Sequence, residues 1–180
     1  MALDPELLRF LNFLQRHREL RARLPAPVDK TVVYSGGMPT ADGLHAAWRL
    51  LAQAKAAEPA RFDYVTLEER LRQFHAVEMG ESLYDHANRL SDVLKGRGKE
   101  DQRLILWRAL SGIYVQGARG KVRALILPTE AIAGSVFHLT EVNVLLRADV
   151  LQQISIDPEL LRNFRSLVKA GARPGPLVVM

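Results

Sequence analysis

EDQRLILWRALSGIYVQGARGKV, residues 100–122, carries the strongest helical pattern in the chain. Leu104, Trp107, Leu110, Ser111 and Tyr114 recur at three- and four-residue spacing, which predicts a helix from Glu100 to Ala118 with these side chains inward. Gly120 is the expected stop, and Val122 to Leu127 then reads as a strand. Upstream, Thr31-Val32-Val33-Tyr34 reads as a short buried strand closed at once by the turn Ser35-Gly36-Gly37. Helices therefore dominate the middle of the chain, with strands before and after them.

Further helices are expected on both sides. Asp4-Pro5-Glu6 supplies an N-cap, a first-turn proline and an acid facing the helix dipole. Leu7, Leu8, Leu11 and Leu14 then mark an apolar face, with Pro25 and Pro27 as the end. Ala41 to Ala57 reads as a helix with Leu44, Trp48, Leu51 and Ala52 inward. Tyr64-Val65 is a strand stub, and Thr66-Leu67-Glu68-Glu69 fits a capping box that opens a helix to about Ala76. Leu83 to Leu94 is a helix, and Lys95 to Lys99 is a flexible basic loop. Near the end, Val136–Leu139 and Leu151–Ile156 read as extended pieces, and Asp157-Pro158-Glu159 opens a helix to Lys169.

The 180 residues include no cysteine, 25 Lys plus Arg against 20 Asp plus Glu, and 48% hydrophobic side chains. A chain of this length buries roughly 70% of its unfolded surface and needs no staples. The absence of cysteine excludes disulfides, thiolate zinc ligands and a thiolate nucleophile, and it suits a reducing compartment. No run approaches the roughly 20 apolar residues of a membrane span. A net charge of +5 favours an anionic partner. The histidines at 17, 45, 75, 86 and 138 lack ligand spacing, so no metal site is expected. Walker, dinucleotide-glycine and serine-elbow patterns are also missing.

Trp107 and Ser111 project from one helical face about 40° apart, with Tyr114 along the same stripe. Periodicity alone reads this as core packing. A buried serine hydroxyl nevertheless needs a partner, which can be a ligand.

Four elements occur in a recognisable order. Tyr34-Ser35-Gly36 comes first, then Thr66-Leu67-Glu68, then Trp107-x-x-x-Ser111-x-x-Tyr114, and finally Ser135-Val136-Phe137 before Glu141-x-x-x-Leu145. This ordered set, over residues 34 to about 156, resembles the ADP-ribosyl cyclase family, which cleaves the nicotinamide–ribose bond of NAD. The resemblance implies an α/β fold in which a helix-rich N-terminal lobe meets a small, mainly parallel sheet flanked by helices, with the active-site cleft between them. Residues 31–180 would form that domain, and residues 1–30 a helical extension or linker.

The resemblance also assigns roles. Glu141 would hold the ribose hydroxyls and stabilise the positive charge developing on the sugar, although without the resemblance it reads as an exposed acid at a helix start. Glu68 would influence whether water or adenine captures the ribosyl intermediate, giving ADP-ribose or its cyclic form. Trp107 would stack on the nicotinamide, Tyr34 would form a second aromatic wall, Ser111 would meet a phosphate or ribose oxygen, and Ser35-Gly36 would offer amides to the diphosphate. Arg108 or Arg119 would assist there. NAD or NADP is then the substrate, and no cofactor is implied.

Three departures bear on these assignments. Tyr34 stands where animal members have tryptophan. Glu69-Arg70-Leu71-Arg72 continues as helix where they have a Pro-Gly turn, which favours hydrolysis over cyclisation. No disulfide can form, which points to the bacterial branch: toxin domains of secreted effectors that act in a target cell's cytoplasm and are restrained by a cognate immunity protein. The rival readings are a basic helical nucleic-acid-binding module using Arg16–Arg23 and Lys95–Lys99, and a degenerate NAD binder.

Overall fold

The computed structural model describes residues 2–35, 51–52, 55–60, 62–75, 79–120, 122–126 and 141–145. They form α1 (Pro5–Arg16), α2 (Arg18–Arg23), β1 (Thr31–Ser35), α3 (Leu67–Gln73), α4 (Leu83–Gly96), α5 (Glu100–Gln116), β2 (Val122–Ile126) and α6 (Val142–Leu145). The described residues are mostly helical. The strands expected over 136–139 and 151–156, the helix over 157–169, and Gly36, Leu44 and Trp48 lie outside them.

Helix α5 is the centre of the fold and touches α1, α3, α4 and α6. A helix covered on several sides needs apolar residues on more than one stripe. Its buried set is accordingly Gln102, Leu106, Leu110, Ser111, Tyr114 and Val115, while Leu104 and Trp107 are half-buried. The expected inward face was thus rotated at its N-terminal half. The helix ends at Gly117 rather than at Gly120, which lies beyond it at φ 69°.

Gly117 is required by close packing. A Cβ there would stand 2.5 Å from Pro25 Cβ and 2.8 Å from both the backbone nitrogen and oxygen of Ala26. Backbone atoms cannot swing aside, and Ala26 is pinned by its N–H bond to the Tyr114 carbonyl at 2.8 Å. Gly117→Ala is therefore expected to cost about 1–3 kcal/mol, measurable by urea unfolding.

Strands β1 and β2 pair in parallel, with Thr31 opposite Val122 and Ser35 opposite Ile126. Parallel neighbours need a crossover, here the chain that carries α3, α4 and α5. Val32 and Val33 are each 1% exposed, so both faces of β1 are covered. Val65, the expected strand stub, makes a parallel bridge to Thr31 on the other side of β1. The Tyr114 hydroxyl joins these pieces to α5. It accepts from Val32 N–H at 3.1 Å and lies 2.5 Å from the Val65 carbonyl, to which it donates.

Residues 2–30, expected as an extension or linker, contribute Leu7, Phe10, Leu14, Leu20, Leu24 and Ala26 to the same core cluster as Leu106, Leu110 and Val122. The predicted N-cap is present, with Asp4 accepting from Glu6 N–H. The apolar face is Leu7, Phe10 and Leu14, whereas Leu8 is 47% exposed. The helix also breaks earlier than the prolines: His17 ends α1, and its Nδ1 accepts from Leu20 N–H at 3.3 Å to cap α2.

The basic segment 95–99 is not a free loop. Helix α4 runs to Gly96, and the cations that follow close on α1. Arg97 and Lys99 reach the buried Asp4 carboxylate at 2.9 and 2.8 Å, and Arg97 also binds Glu6 at 2.9 Å. Gln102 Oε1 accepts from Asp4 N–H at 2.7 Å. The Lys99 hydrogen bond, opposed by burial and supported by Glu6 N–H and Arg97, holds the Asp4 carboxyl well below its ordinary value. A carboxyl lowered in the folded state contributes stability above its unfolded pKa and loses that contribution as pH falls below it. Melting temperature is therefore expected to drop between about pH 4 and pH 2, near and below the ordinary aspartate value, and Asp4→Asn should flatten that part of the profile.

Ala52, expected inward, is exposed, while Leu51 beside it is 3% exposed. Among the described residues, no helix is long and apolar enough to cross a membrane.

Candidate active site

The capping box at 66–69 forms in full. Thr66 Oγ1 accepts from Glu69 N–H at 3.1 Å, and Glu69 Oε2 accepts from Thr66 N–H at 2.7 Å. Lys55 secures the same corner, 2.5 Å from Glu69 Oε1 and 2.5 Å from the Tyr64 carbonyl. Because Glu69 performs the capping, Glu68 is left to turn elsewhere. Its Oε1 accepts a hydrogen bond from the Tyr34 hydroxyl on β1. The tripeptide Thr66-Leu67-Glu68 thus caps α3 through Thr66 and makes a separate contact through Glu68. Helix α3 ends at Gln73, short of Ala76, but runs on through Arg70 and Arg72 as expected.

Glu141 lies immediately before α6 and is 7% exposed, so it is not an exposed helix-start acid. Ser111, fully buried on α5, donates its hydroxyl to Glu141 Oε1. This carboxylate is therefore the partner that the buried serine required.

The two carboxyls share an unusual state. Glu68 Oε2 and Glu141 Oε2 are both buried and have no hydrogen-bond partner among the described residues. Orphaned buried polar atoms are uncommon and mark functional candidates. Burial pushes the Glu141 carboxyl up to about 7, against the hydrogen bond from Ser111 and assisted by the charge of Glu68. Burial also raises Glu68, opposed first by the Tyr34 hydroxyl and further by Arg72. The Tyr34 phenol is raised by burial and then by Glu68. Carboxyls shifted toward neutrality in a partly buried cluster are suited to proton transfer or to stabilising positive charge.

The structure thus gathers Tyr34, Glu68, Ser111 and Glu141 from β1, α3, α5 and the start of α6. Trp107 is tied to α4 instead, its indole N–H donating to Ser91 Oγ at 3.3 Å. Ser91 also accepts from Arg103 Nε at 3.1 Å. Ser35 ends β1, and Arg119 turns back on α5, its Nη1 2.7 Å from the Ala118 carbonyl rather than free for a phosphate. Among the described residues, no group of three His, Cys, Asp or Glu side chains is placed to hold a metal ion.

Sequence reasoning missed Ser91, Lys55, Tyr84 and Arg72. The Arg72 guanidinium lies over the Tyr84 ring, 4.3 Å from its centroid, and its charge favours ionised Glu68. Only the four-residue spacing of Glu68 and Arg72 along one helix face signalled that link.

No family model, curated protein or solved structure matches the chain.

Proposed function

We propose that the chain is an NAD glycohydrolase that cleaves NAD to nicotinamide and ADP-ribose, or NADP to nicotinamide and 2′-phospho-ADP-ribose. The observation that carries this reading is the pair of carboxyls on half-buried Glu68 and buried Glu141, each held through one oxygen and with the other oxygen buried and unpaired among the described residues. The nicotinamide of NAD is already cationic and leaves as a neutral ring, so its departure requires no acid. It requires stabilisation of an oxocarbenium-like ribose, which a desolvated carboxylate supplies. Glu141 fills that role, and the cationic substrate favours its ionised form. Ser111 positions Glu141 through Oε1, a different task from the expected phosphate contact. Glu68, held by Tyr34, directs water to the ribosyl carbon.

Trp107 offers the ring for nicotinamide stacking, a cation–π contact of about 0.5–2 kcal/mol. Ser35, the last residue of β1, and Gly36 after it are the candidates in this reading for amides to the diphosphate. The two-lobed cyclase-like arrangement, with a flanked parallel sheet and a cleft, belongs to this proposal and is supported by the parallel β1–β2 pair. So do a role as a secreted effector toxin that acts in a target-cell cytoplasm and a cognate immunity protein that covers the cleft. The nucleic-acid reading loses support because Arg97 and Lys99 are engaged by Asp4 and Glu6, and Arg23 by Glu19.

The test is chromatographic separation of the products after incubation with NAD and with NADP. Nicotinamide is expected in equal amount with ADP-ribose from NAD and with 2′-phospho-ADP-ribose from NADP. Cyclic ADP-ribose as the main product would make the chain a cyclase, and intact dinucleotide would reject the proposal.

A further inference from the structure

The site contains more acid–base chemistry than the cleavage of NAD uses. A cationic leaving group needs no proton donor, yet the site holds a pair of carboxyls that can supply and accept a proton, and their surroundings differ. Glu68 receives the Tyr34 hydroxyl hydrogen bond and feels the positive charge of Arg72. Glu141 receives the Ser111 hydroxyl and feels the negative charge of Glu68. The remaining titratable groups that sense Glu141 are the phenols of buried Tyr114 and half-buried Tyr34. Burial raises both carboxyls, but the Tyr34 hydroxyl and Arg72 oppose that rise at Glu68, whereas the charge of Glu68 adds to it at Glu141. That asymmetry favours Glu141 as the acid and Glu68 as the base.

Hydrogen-bond direction then assigns the atoms. Ser111 donates to Glu141 Oε1, so a proton held by Glu141 resides on Oε2, the buried atom that has no partner among the described residues. Tyr34 donates to Glu68 Oε1, so the unpaired Glu68 Oε2 is an acceptor. The site therefore presents one O–H donor and one carboxylate acceptor.

We infer that this site also hydrolyses N-ribosyl bonds to uncharged bases, with Glu141 Oε2–H as general acid and Glu68 Oε2 as general base. The inference rests on the proposed NAD-cleaving reading for the location of the ribose. Water adds its oxygen to the ribosyl carbon and gives a proton to Glu68 Oε2. The carbon–nitrogen bond breaks, its electron pair goes to the base, and the Glu141 proton moves to that base nitrogen. Solvent exchange then returns the proton from Glu68 to Glu141. A neutral base leaves only when protonated, and general acid catalysis of this kind is worth about 10²- to 10⁴-fold.

The probe is P1,P2-di(adenosine-5′) diphosphate, which keeps the diphosphate and places an uncharged adenine where NAD carries nicotinamide. Release of adenine is followed alongside release of nicotinamide from NAD, each from about pH 5.5 to 8.5, a window centred on the raised glutamate. Adenine release is expected to fall about tenfold per unit above pH 7, as Glu141 loses its proton, while nicotinamide release rises through the same range. Glu141→Gln should lower adenine release at least about 100-fold. If that variant does not fold, the opposed pH limbs of the unaltered protein decide. NAD cleaved with the diadenosine compound intact overturns this inference and leaves the NAD reading standing. Adenine released with NAD intact overturns the NAD reading alone. Neither compound cleaved overturns both, and two limbs rising together overturn the general-acid role.

Discussion

Glu141→Gln is expected to lower the rate of NAD cleavage by about 10²- to 10³-fold while making the folded protein more stable at pH 8. The loss follows from removing the group proposed to face the developing positive charge, a substitution that costs about 3–4 kcal/mol of transition-state stabilisation in comparable sites. The gain follows from linkage. The Glu141 carboxyl has a model value of 4.5 and is pushed up to about 7 in the folded chain. A raised carboxyl favours folding at low pH, where both states are protonated, and this advantage disappears as pH climbs from the unfolded to the folded pKa. Above about 7 the folded chain bears the full cost of a buried anion, of order 3 kcal/mol.

Glutamine avoids that cost and retains an oxygen to accept from Ser111. At pH 8 the variant should therefore melt several degrees higher than the parent, with the difference shrinking toward pH 4.5, the ordinary value. Scanning calorimetry at the two pH values checks the stability half, and a nicotinamide assay checks the catalytic half. Activity and stability moving in opposite directions is the signature of a site held in a costly state for function.

Tyr114→Ala is expected to cost about 3–5 kcal/mol, a large part of the roughly 5–15 kcal/mol available to a domain. Tyr114 is 1% exposed, and its ring fills the space between α5 and β1. Tyr114→Phe keeps the ring and isolates the hydroxyl. It strands the buried Val32 N–H and removes the donor to the Val65 carbonyl, at an expected cost of about 1–3 kcal/mol. This hydroxyl also bears on the site, because Val65 precedes the Thr66 cap from which Glu68 projects. Urea unfolding of both variants separates ring from hydroxyl. NAD cleavage by Tyr114→Phe should fall more than its folded fraction does, since Glu68 loses registry with Tyr34.

What could be read from the sequence follows the range of the forces involved. The 66–69 cap was legible because its donors and acceptors lie within four residues and satisfy one another locally. The need of Ser111 for a partner was legible from burial alone, but the partner is thirty positions away and emerged only from the family-like order of motifs. The Arg97 and Lys99 side chains looked like a free basic loop because Asp4 is more than ninety positions distant.

Local signals also misled. Adjacent Leu7 and Leu8 cannot both face one core, and Phe10 occupies the stripe in place of Leu8. The break at His17 carried no glycine or proline, because an imidazole nitrogen makes the cap. Spacing sets Trp107 one turn from Ser111 on α5, but it gave no sign that the indole N–H is taken by Ser91 of α4. Nothing within α5 announced that contact.

The most direct measurement is nicotinamide release from NAD by the unaltered protein and by Glu141→Gln side by side at pH 8, each first shown to be folded by circular dichroism. The two-carboxylate account predicts steady release by the parent and about 100-fold less or lower by the variant. Intact NAD with the folded parent, or equal release by both proteins, would contradict it.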